Sequence, residues 1–351
     1  KSEERIIKGI EFLKKGKGRM LLGVALPIAH DIEARLKDVP GVTRVALAGS
    51  LRRRQETVGD IDIIATSSHP QRVMEAFRSM SEVERVYSTG STKTMVRLSI
   101  GIDADLRVVP DDVYGAALQY FTGDKQHNIE VRKRAIKKGY KLSEYGLFRG
   151  AKRIAAKTEE EIYKKLGMEC MSPELRTAGG EIEAAQKGTL PNLISYGSIC
   201  GDLQVQTEWT DGNASIEKMA QAAHDAGLSY IAITDHTRSL AMTGGLDEKK
   251  LALQGKEIDR LNKKYAAKKF RILKSAEVNI LKDGTLDISD ATLKKLDLVC
   301  VAVHSHFALS EKEQTERIAR ALCHPLVNIL FHPTGRRIGR REPYALDMEK
   351  I

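Results

Sequence analysis

The sequence contains few aromatic residues and few cysteines, and it lacks a long hydrophobic run. Aromatic residues make up 5% of its 351 positions, and there are four cysteines. No two cysteines form a CxxC pair, which disfavours a disulfide framework or a zinc ribbon and agrees with a reducing compartment. No apolar run approaches the roughly 18 residues of a membrane span, and the charged start KSEERIIKGIEFLKK is not a signal peptide. We therefore expect a cytoplasmic protein with no membrane partner.

Basic residues outnumber acidic ones, and most of the excess lies in the first half. The formal net charge is +10. Residues 1–190 hold 34 Lys and Arg against 26 Asp and Glu, whereas residues 191–351 hold 23 against 21. An excess of positive charge is typical of polyanion binding, although a merely basic surface has the same composition. The length is sufficient for two domains or more.

The stretch GSLRRRQETVGDIDIIA, residues 49–65, contains two aspartates two positions apart. Asp60 and Asp62 alternate with Ile61 and Ile63, and this period of two predicts a half-buried strand with both carboxylates on one face. Neighbouring carboxylates repel each other unless a cation lies between them, and Mg²⁺ prefers such oxygen ligands. The pattern therefore predicts a platform for a divalent metal ion.

A small-residue turn precedes these carboxylates. Gly49 and Ser50 follow the apolar run 45–48 and come before three arginines, residues 52–54. Exposed backbone amides beside guanidinium groups suit an oligophosphate. A phosphate-binding turn next to a metal platform indicates nucleotidyl transfer.

A second alternating run, IDADLRVVP, could supply a third carboxylate from a neighbouring strand. Asp103 and Asp105 share one face of residues 102–110 with Arg107. Both aspartates are candidates, and the wider pattern described below favours Asp105.

The remaining pattern of the first half mixes helices and strands. Helices are predicted over residues 1–17, 21–36, 71–80, 111–123 and 127–139, and strands over residues 41–48, 84–88 and 93–100. Five of the ten residues 131–140 are Lys or Arg, which fits either a solvated helix face or a contact with a phosphate backbone. Thr158 opens a further helix with a capping box. The segment from Pro173 to Pro191, rich in glycine and proline, is the candidate linker.

The second half alternates short apolar runs with helical segments, which predicts a parallel β/α architecture. The predicted strands are residues 201–207, 228–236, 270–279, 296–306 and 326–333, and the predicted helices are residues 215–226, 248–264 and 311–322. Aspartate, glutamate and histidine residues follow the strand ends, where β/α barrels place their sites.

Four segments of the first half, in order, resemble the family X DNA polymerases, the class of DNA polymerase beta, in the bacterial and archaeal form. They are GSLRRRQETVGDIDII, DADLRVVP, YGAALQYFTGDKQHNIEVRKRA and KLSEYGLF. The YFTG box and the SEYG strand narrow the resemblance from the wider nucleotidyltransferase superfamily to family X. The resemblance implies a DNA-directed DNA polymerase that fills short gaps in DNA repair, including base excision repair. Its partners would be dNTP and gapped or nicked double-stranded DNA.

The resemblance implies that three aspartates, Asp60, Asp62 and Asp105, are catalytic. They would hold two Mg²⁺ ions, for which Mn²⁺ could substitute; the ions would activate the primer 3′-hydroxyl and stabilise the leaving pyrophosphate. The implied nucleotide-binding residues are Gly49, Ser50, Arg53, Gly59, Tyr120, Phe121, Gly123 and Asn128.

Within that set, three residues would hold the β- and γ-phosphates: Ser50, Arg53 and the amide of Gly59. Tyr120 and Phe121 would pack against the incoming sugar and exclude a ribose 2′-hydroxyl. These roles are implied by the resemblance alone.

Base and template contacts are implied for the basic helix. Asn128 would bind the minor-groove edge of the incoming base. The DNA-binding residues would be Arg132, Lys133 and Arg134, with Arg132 on the template strand. Glu144 and Tyr145 would help to position Arg132. Two positions depart from the family pattern, with Asp124 in place of serine and Ser143 in place of asparagine.

The second half resembles the PHP domain, a metal-dependent phosphoesterase barrel fused to these polymerases. Its motifs are matched in order by GDLQVQTEWTDG, AITDH, AEVNI, VAVHSHF and FHPTGRR. The implied Zn²⁺ or Mn²⁺ ligands are Asp211, His236, Glu277, His304 and His332. Gln204 and Gln206 stand where the family has His-x-His, and an amide oxygen is a weak ligand. We expect a degenerate barrel kept for packing or DNA contact rather than a nuclease.

The expected fold is therefore α/β and α+β, with a nucleotidyltransferase palm and a thumb followed by an incomplete β/α barrel. The expected domains are the tail of the fingers helices (1–17), palm (18–110), thumb (111–186), linker (187–200) and PHP domain (201–351). A lyase domain and helix-hairpin-helix elements are expected before residue 1 and further barrel strands after Ile351. Without the former we expect weak binding to gapped DNA and no lyase activity.

Three functions remain open at the level of sequence. They are gap-filling polymerisation, a metal-dependent 3′-phosphatase or exonuclease activity, and a non-catalytic DNA-binding scaffold. The complete set of three aspartates favours the first, and the two glutamines weaken the second. A monomer is expected.

Overall fold

The computed structural model describes residues 18–351, so the predicted helix over residues 1–17 lies outside the described part. The chain divides into two compact units, Lys1–Asn192 and Leu193–Ile351, and each is described by itself. Residues 191–200 are exposed and contain neither helix nor strand. No helix in the described part is both long enough and apolar enough to cross a bilayer.

The described part of the first unit contains ten strands and seven helices. The strands are β1 (Met20–Leu21), β2 (Val42–Leu47), β3 (Thr57–Val58), β4 (Asp60–Ser67), β5 (Val83–Thr89), β6 (Lys93–Leu98), β7 (Asp103–Val109), β8 (Lys141–Ser143), β9 (Gly146–Arg149) and β10 (Lys152–Ala155). The helices are α1 (Leu22–Lys37), α2 (Gly49–Arg52), α3 (Pro70–Arg78), α4 (Tyr114–Thr122), α5 (Lys125–Lys137), α6 (Glu159–Lys165) and α7 (Glu181–Lys187).

A mixed five-stranded sheet carries the aspartates. Its order is β2-β4-β7-β6-β5; β4 and β7 are parallel, and the other neighbours are antiparallel. Ile61 and Ile63 of β4 point to one face, where they join a core with residues of α1 and α3. On the other face, Ile64 packs with Ala117 and Leu118 of α4. This leaves the aspartate end of that face partly open.

The rest of the first unit is a second core around the antiparallel sheet β8–β10 and helices α4–α7. Gly115 lets α4 approach the start of α6, because a Cβ there would overlap the backbone of Thr158. Asp124 caps α5 by accepting the His127 N–H at 2.7 Å, so the residue that departs from the family serine supplies an equally good cap.

The predicted linker from Pro173 to Pro191 is wrong over most of its length. The segment contains α7, and Arg176 and Ile182 in it are buried. Glycine and proline mark turns here rather than a flexible connection, because buried side chains hold the turns against the second core.

The second unit contains six strands and four helices. The strands are β11 (Gly201–Val205), β12 (Tyr230–Ile233), β13 (Arg271–Lys274), β14 (Glu277–Asn279), β15 (Cys300–Ala302) and β16 (Ile329–Leu330), and the helices are α8 (Ile216–Asp225), α9 (Glu248–Tyr265), α10 (Asp290–Leu293) and α11 (Glu311–Leu322).

The strands of the second unit form two parallel three-stranded sheets, β11-β12-β13 and β14-β15-β16. The strand predicted over residues 270–279 is two strands, because β13 pairs with β12 whereas β14 pairs with β15. An isolated parallel bridge between His236 and Glu277 links the ends of the two ladders. This break brings the end of β12 beside the start of β14.

Candidate functional site

The parallel pairing of β4 with β7 aligns four aspartates. Asp60 lies opposite Asp103, and Asp62 lies opposite Asp105. Ile61, which lies between Asp60 and Asp62 in β4, is fully buried. The alternation along β4 therefore turns the two carboxylates to the opposite face of the sheet. Sequence alone predicted the shared face, and the register shows which residues are neighbours.

The carboxylates of this face are poorly compensated by the protein. Burial, followed by the nearby charges of Asp60 and Asp105, raises the pKa of Asp62 to about 7. Burial and Asp105 also raise the pKa of Asp60. Carboxylates that destabilise each other's charge are suited to a divalent cation, which would favour their ionised form. The donor set is all oxygen and therefore fits Mg²⁺ or Mn²⁺.

Both candidates for third ligand are paired with a basic residue, and their effects on the β4 carboxylates distinguish them. Asp103 is bound to Arg97, with 2.9 Å between Nη1 and Oδ1. Asp105 Oδ2 lies 3.2 Å from Lys93 Nζ, and its charge acts on both Asp60 and Asp62. Asp105 is therefore the better partner of the β4 carboxylates. The carboxylate oxygens of Asp60, Asp62 and Asp105 do not all lie within 4.8 Å of one another. Among the described residues, only one cluster, in the second unit, has three ligand atoms that close together.

The turn before the metal platform is packed directly against it. Gly49 begins α2 with φ of +56°, and a Cβ on Gly49 would overlap the Asp62 carboxylate. The Ala48 N–H donates to the Asp62 carbonyl at 2.8 Å. Ser50 follows on α2 and is partly exposed. The proposed phosphate turn and the proposed metal ligand thus share one small volume.

The arginines after this turn have different surroundings. Arg52 donates to Thr122 Oγ1 at 2.7 Å and forms an ion pair with Glu159 at 2.6 Å. Arg53 Nη1 donates to the Thr122 carbonyl at 2.6 Å, and burial lowers its pKa while the charges of Asp124 and Asp62 oppose that change. Arg52 is therefore a structural residue, and Arg53 is the guanidinium that lies near the carboxylates.

The YFTG box lies on the last turn of α4. The rings of Tyr120 and Phe121 meet edge to face, with centroids 5.0 Å apart. The Arg107 guanidinium lies 4.4 Å from the centre of the Phe121 ring, and that of Arg132 lies 6.0 Å from the Tyr120 ring. Asn128 is bound within the protein, donating to the Tyr120 carbonyl at 2.6 Å. The box therefore joins the aspartate face to helix α5.

The basic residues of α5 are not equally free. Lys133 pairs with Glu130 at 2.7 Å, and Arg134 pairs with Glu183 of α7. Arg132 stacks on Tyr120 and has no acidic partner among the described residues. Glu144 and Tyr145 lie in the β8–β9 hairpin, and no hydrogen bond in residues 18–351 joins either side chain to Arg132.

A second cluster lies at the strand ends of the second unit. His236, Glu277 and His304 offer ligand atoms that all lie within 4.8 Å of one another. His332 Nε2 lies 2.7 Å from Glu277 Oε1, and Asp211 lies 3.6 Å from His236. The structure thus brings together all five side chains predicted from sequence.

The Glu277 carboxylate is the centre of this cluster. Burial alone would raise its pKa, but hydrogen bonds from His304 and His332 and the nearby His236 lower it to about 2. His236 Nδ1 is buried and has no hydrogen-bond partner among the described residues, so this nitrogen suits a metal ligand. Two imidazoles and a carboxylate fit one Zn²⁺ or Mn²⁺ ion.

The two glutamines of the first motif are also directed at Glu277. Gln206 Nε2 donates to Glu277 Oε2 at 2.9 Å, and Gln204 Nε2 lies 3.5 Å from the same oxygen. Each occupies a lone pair of the carboxylate rather than offering one to a metal. The cluster therefore fits fewer ions than a site with two further histidines would.

Two family models match the chain. The model described as DNA polymerase beta thumb matches residues 117–177, and that described as PHP domain matches residues 202–336. Over its full length the chain is 38% identical to DNA polymerase/3′-5′ exonuclease PolX of Bacillus subtilis. Together these matches extend over the whole chain the resemblance to family X DNA polymerases that carry a PHP domain.

Partial matches to other proteins include both polymerases and phosphatases. The chain is 28% identical over 172 residues to DNA polymerase lambda of Arabidopsis thaliana, covering 39% of this chain and 32% of the relative. It is 32% identical over 148 residues to a probable phosphatase of Thermoanaerobacter sp., covering 39% of this chain and 52% of the relative. The chain spans 62% of the length of the Bacillus family X relative.

The region around β8–β10 lies within the match to the DNA polymerase beta thumb model. One basic residue near the carboxylates of the mixed sheet has no signal in the sequence. Arg19 binds Thr57, with Nη2 2.7 Å from its carbonyl oxygen, and its charge counters the rise in the pKa of Asp60. Arg19 stands outside any periodic run, so only the β1–β3 pairing reveals its position.

The PHP cluster has its own supporting side chains. His304 Nδ1 lies 2.8 Å from Asn279 Oδ1, and Asn279 Nδ2 donates to Asp287 at 2.9 Å. The asparagine thereby turns His304 Nε2 toward Glu277, at 3.0 Å. Such support is what keeps a ligand ring oriented before a metal binds.

Proposed function

We propose that the chain acts as a DNA-directed DNA polymerase that adds nucleotides from dNTP to a primer 3′-hydroxyl in short DNA gaps. The observation that carries the proposal is the β4–β7 register, in which Asp62 neighbours Asp105 on the face that carries Asp60. The DNA polymerases among the relatives support it. Gapped or nicked double-stranded DNA would be the partner.

The aspartate platform would hold two Mg²⁺ ions, with Mn²⁺ as a substitute. Bound there, such ions activate the attacking hydroxyl and neutralise charge on the leaving pyrophosphate. The carboxylates of Asp60, Asp62 and Asp105 would anchor and space the ions. Their mutual repulsion would be relieved only when the cations bind, which favours loading at neutral pH and above.

The nucleotide would lie between the α2 turn and the YFTG box. Ser50, Arg53 and the amide of Gly59 would bind the β- and γ-phosphates. Tyr120 and Phe121 would pack against the sugar, where the ring edges leave little room for a 2′-hydroxyl. Packing of this kind orders the reactants for in-line attack.

The remaining contacts would be to the base pair and the template. Asn128 would reach the minor-groove edge of the incoming base, and Gly123 leaves room for it, because a Cβ there would overlap His127 and Asn128. Arg132, with Lys133 and Arg134, would lie near the template backbone. Because two of these three are already ion-paired, Arg132 would contribute most of the contact.

Primer extension on a duplex with a one-nucleotide gap tests the polymerase proposal. We expect extension with Mg²⁺ by the unaltered chain and a loss of at least about 10³-fold in Asp62→Ala, because a metal ligand is removed. Asp103→Asn is the matched control on the same sheet face, since Asp103 is engaged by Arg97. Undiminished extension by Asp62→Ala would contradict the metal assignment, and tight gap binding without incorporation would favour the scaffold.

A second candidate function, phosphoesterase activity on DNA 3′ ends, is favoured by the His236–Glu277–His304 cluster. We propose that the cluster binds one Zn²⁺ or Mn²⁺ ion rather than a multinuclear set, because Gln204 and Gln206 bond to Glu277. Weak or absent activity is the expected result.

Release of phosphate from a 3′-phosphorylated oligonucleotide with Mn²⁺ tests this second function. Replacing both glutamines by histidine should raise bound metal and phosphate release, and His304→Ala should abolish both. If the double histidine variant binds no more metal than the unaltered chain, the glutamines are not what limits the site.

A further inference from the structure

A set of polar side chains is buried behind the proposed nucleotide pocket. His127 and Tyr163 are fully buried, Gln119 is 1% exposed and Glu181 is 6% exposed. Asn128, a fifth member, is partly exposed. Polar groups are costly to bury unless they are hydrogen-bonded, so the bonding of this set determines whether it stabilises or strains the unit.

Hydrogen bonds and close approach link the five side chains. His127 Nδ1 lies 2.7 Å from Glu181 Oε1, and His127 Nε2 lies 3.0 Å from the Tyr163 hydroxyl. Gln119 lies beside Tyr163 and opposes the rise in its pKa, and Gln119 Nε2 donates to Asn128 Oδ1 at 3.1 Å. The set therefore leads from α7 through the second core to the pocket.

The direction of each bond in the set is fixed by chemistry. A carboxylate accepts, so His127 Nδ1 donates to Glu181. Burial lowers the pKa of His127 and favours the neutral ring, whose Nε2 then accepts the Tyr163 O–H. Gln119 Nε2 donates to Asn128 Oδ1 at 3.1 Å. Gln119 thus has its amide nitrogen directed to Asn128.

This direction assigns both ends of the Asn128 amide. Its Oδ1 accepts from Gln119 inside the protein. Its Nδ2 donates to the carbonyls of Tyr120 at 2.6 Å and Gly123 at 3.3 Å. The amino group therefore lies against the YFTG box, the segment proposed to pack against the incoming nucleotide.

We propose that Gln119 is a positioning residue for nucleotide binding, because it retains the Asn128 oxygen and thereby offers the Asn128 amino group to the incoming base. This inference rests on the proposed nucleotidyl transfer. Every Watson–Crick pair carries an N3 or O2 acceptor on its minor-groove edge, so a donor suits all four nucleotides. If the Asn128 amide were flipped, its oxygen would face the N3 or O2 of the base, and two acceptors cannot hydrogen-bond each other. To reach the base, Nδ2 exchanges a backbone carbonyl for the base acceptor.

The test compares dATP with 3-deaza-dATP, which lacks the N3 acceptor, in single-turnover filling of a gap opposite thymine. For the unaltered chain we expect the analogue to bind about tenfold more weakly, the effect of losing one such hydrogen bond. Gln119→Met keeps the side-chain length but donates nothing. This variant should bind dATP about as weakly as the unaltered chain binds 3-deaza-dATP. Its affinities for dATP and 3-deaza-dATP should differ much less, and its maximal rate of incorporation should be similar to that of the unaltered chain.

Gln126→Met is the matched control, because Gln126 is an exposed glutamine of α5 bonded to Glu130. It should retain the unaltered preference for dATP. Gln119→Glu replaces the donor by an acceptor and should favour the flipped Asn128 amide, with a larger loss of dATP binding than Gln119→Met. Thermal unfolding measures whether each variant is folded. If Gln119→Met is unfolded at the assay temperature, Tyr163→Phe replaces it. Tyr163→Phe removes the hydroxyl beside Gln119 and should partly lower the preference for dATP over 3-deaza-dATP.

Full retention of dATP binding and of the analogue penalty in folded Gln119→Met, or in Tyr163→Phe if that variant replaces it, would overturn the positioning role. Asn128→Ala separates this failure from that of the proposed function. If Asn128→Ala also behaves as the unaltered chain, Asn128 does not contact the base and both proposals on this pocket are wrong. If the unaltered chain incorporates no nucleotide with Mg²⁺ or Mn²⁺, the polymerase proposal itself fails.

Discussion

Gly49 and Asp62 occupy neighbouring space that has no room for a further side-chain atom. Gly49 has φ of +56°, and a Cβ there would overlap the Asp62 carboxylate. Two effects therefore favour glycine at position 49. An L side chain would be strained at this φ, and it would also displace Asp62, a proposed metal ligand. A residue that reads in the sequence as a simple turn former limits the geometry of the metal platform.

We predict that Gly49→Ala lowers primer extension by about 100-fold, because a displacement near 1 Å of a reacting group has an effect of this order. Gly150→Ala is the matched control. Gly150 also has φ of +56°, but a Cβ there meets nothing within 4 Å. The positive φ should cost each variant about 1 kcal/mol of stability, and Gly49→Ala should lose more than this because of the overlap, as measured by urea unfolding. Equal extension by the two variants would contradict the shared-space argument.

At the scale of elements, Glu159 joins helix α2 to helix α6, which lies within the match to the thumb model. It accepts a bidentate pair from Arg52, at 3.0 and 2.6 Å, and an ion pair from the buried Arg176. Burial would raise the pKa of Glu159, but the hydrogen bond from Arg52 and the charge and hydrogen bond of Arg176 leave it below its usual value. One carboxylate thus compensates two arginines.

Glu159→Gln should destabilise the first unit by about 3 kcal/mol at pH 7, because two arginines lose their buried counter-charge. Since the folded pKa of Glu159 lies below its unfolded value, its stabilisation is present above about pH 4.3 and is lost as the pH falls through the folded pKa. The difference between the unaltered chain and Glu159→Gln should therefore shrink in acid. Denaturant unfolding at several pH values measures it.

Glu160→Gln is the control for that prediction, because Glu160 is the next residue and is exposed. It should change stability by less than about 0.5 kcal/mol. A loss in Glu159→Gln that does not vary with pH would mean that packing, and not charge, accounts for the effect.

Helix α5 provides a second prediction at this scale. Arg132→Ala should weaken binding to a gapped duplex and reduce the slope of log K against log salt by about 1, as for one lost phosphate contact. Arg134→Ala should leave the slope nearly unchanged, because Arg134 is engaged by Glu183 and by Gln186 at 2.7 Å. Fluorescence anisotropy over a salt series distinguishes them, and equal slopes for the two variants would contradict the assignment.

Local patterns predicted most elements, whereas partners distant in sequence could not be predicted. The helix Glu311–Leu322 has the predicted bounds, because its capping box and apolar spacing are contained in the segment. The pairing of Arg52 with Glu159 joins residues 107 positions apart, and no local signal marks it. The break at Ser275 in the predicted strand 270–279 likewise depends on which strands lie alongside.

The same limit applies to the candidate sites. Alternation predicted the common face of Asp60 and Asp62, and strand ends predicted His236, Glu277 and His304. Sequence could not reveal that Gln206 donates to Glu277, because an amide has a donor and an acceptor end and only geometry selects one.

At the scale of the whole molecule, each unit has hydrophobic cores formed by its own residues. One pair of cores draws on residues 25–185 and the other pair on residues 205–344. Separate cores allow separate unfolding, because each unit can lose its packing while the other keeps its own. The two candidate metal sites belong to different units.

We predict two transitions in a calorimetric scan of the full chain. Mn²⁺ at 100 times its dissociation constant for the histidine cluster should stabilise the second unit by about 2.7 kcal/mol, since the ion binds the folded form. His304→Ala should abolish that shift, whereas Asp62→Asn should leave it intact. A shift that survives in His304→Ala would show that the ion binds elsewhere.

The parallel pair β4–β7 also has a kinetic meaning. Between these strands the chain forms α3, β5 and β6 before it returns, so the Asp62–Asp105 pair requires the closure of a long loop. An intermediate with only local hairpins, such as β5–β6, would contain no metal platform. High-affinity metal binding should therefore appear late in refolding. Its appearance would report that β4 has paired with β7, and not merely that the chain has become compact.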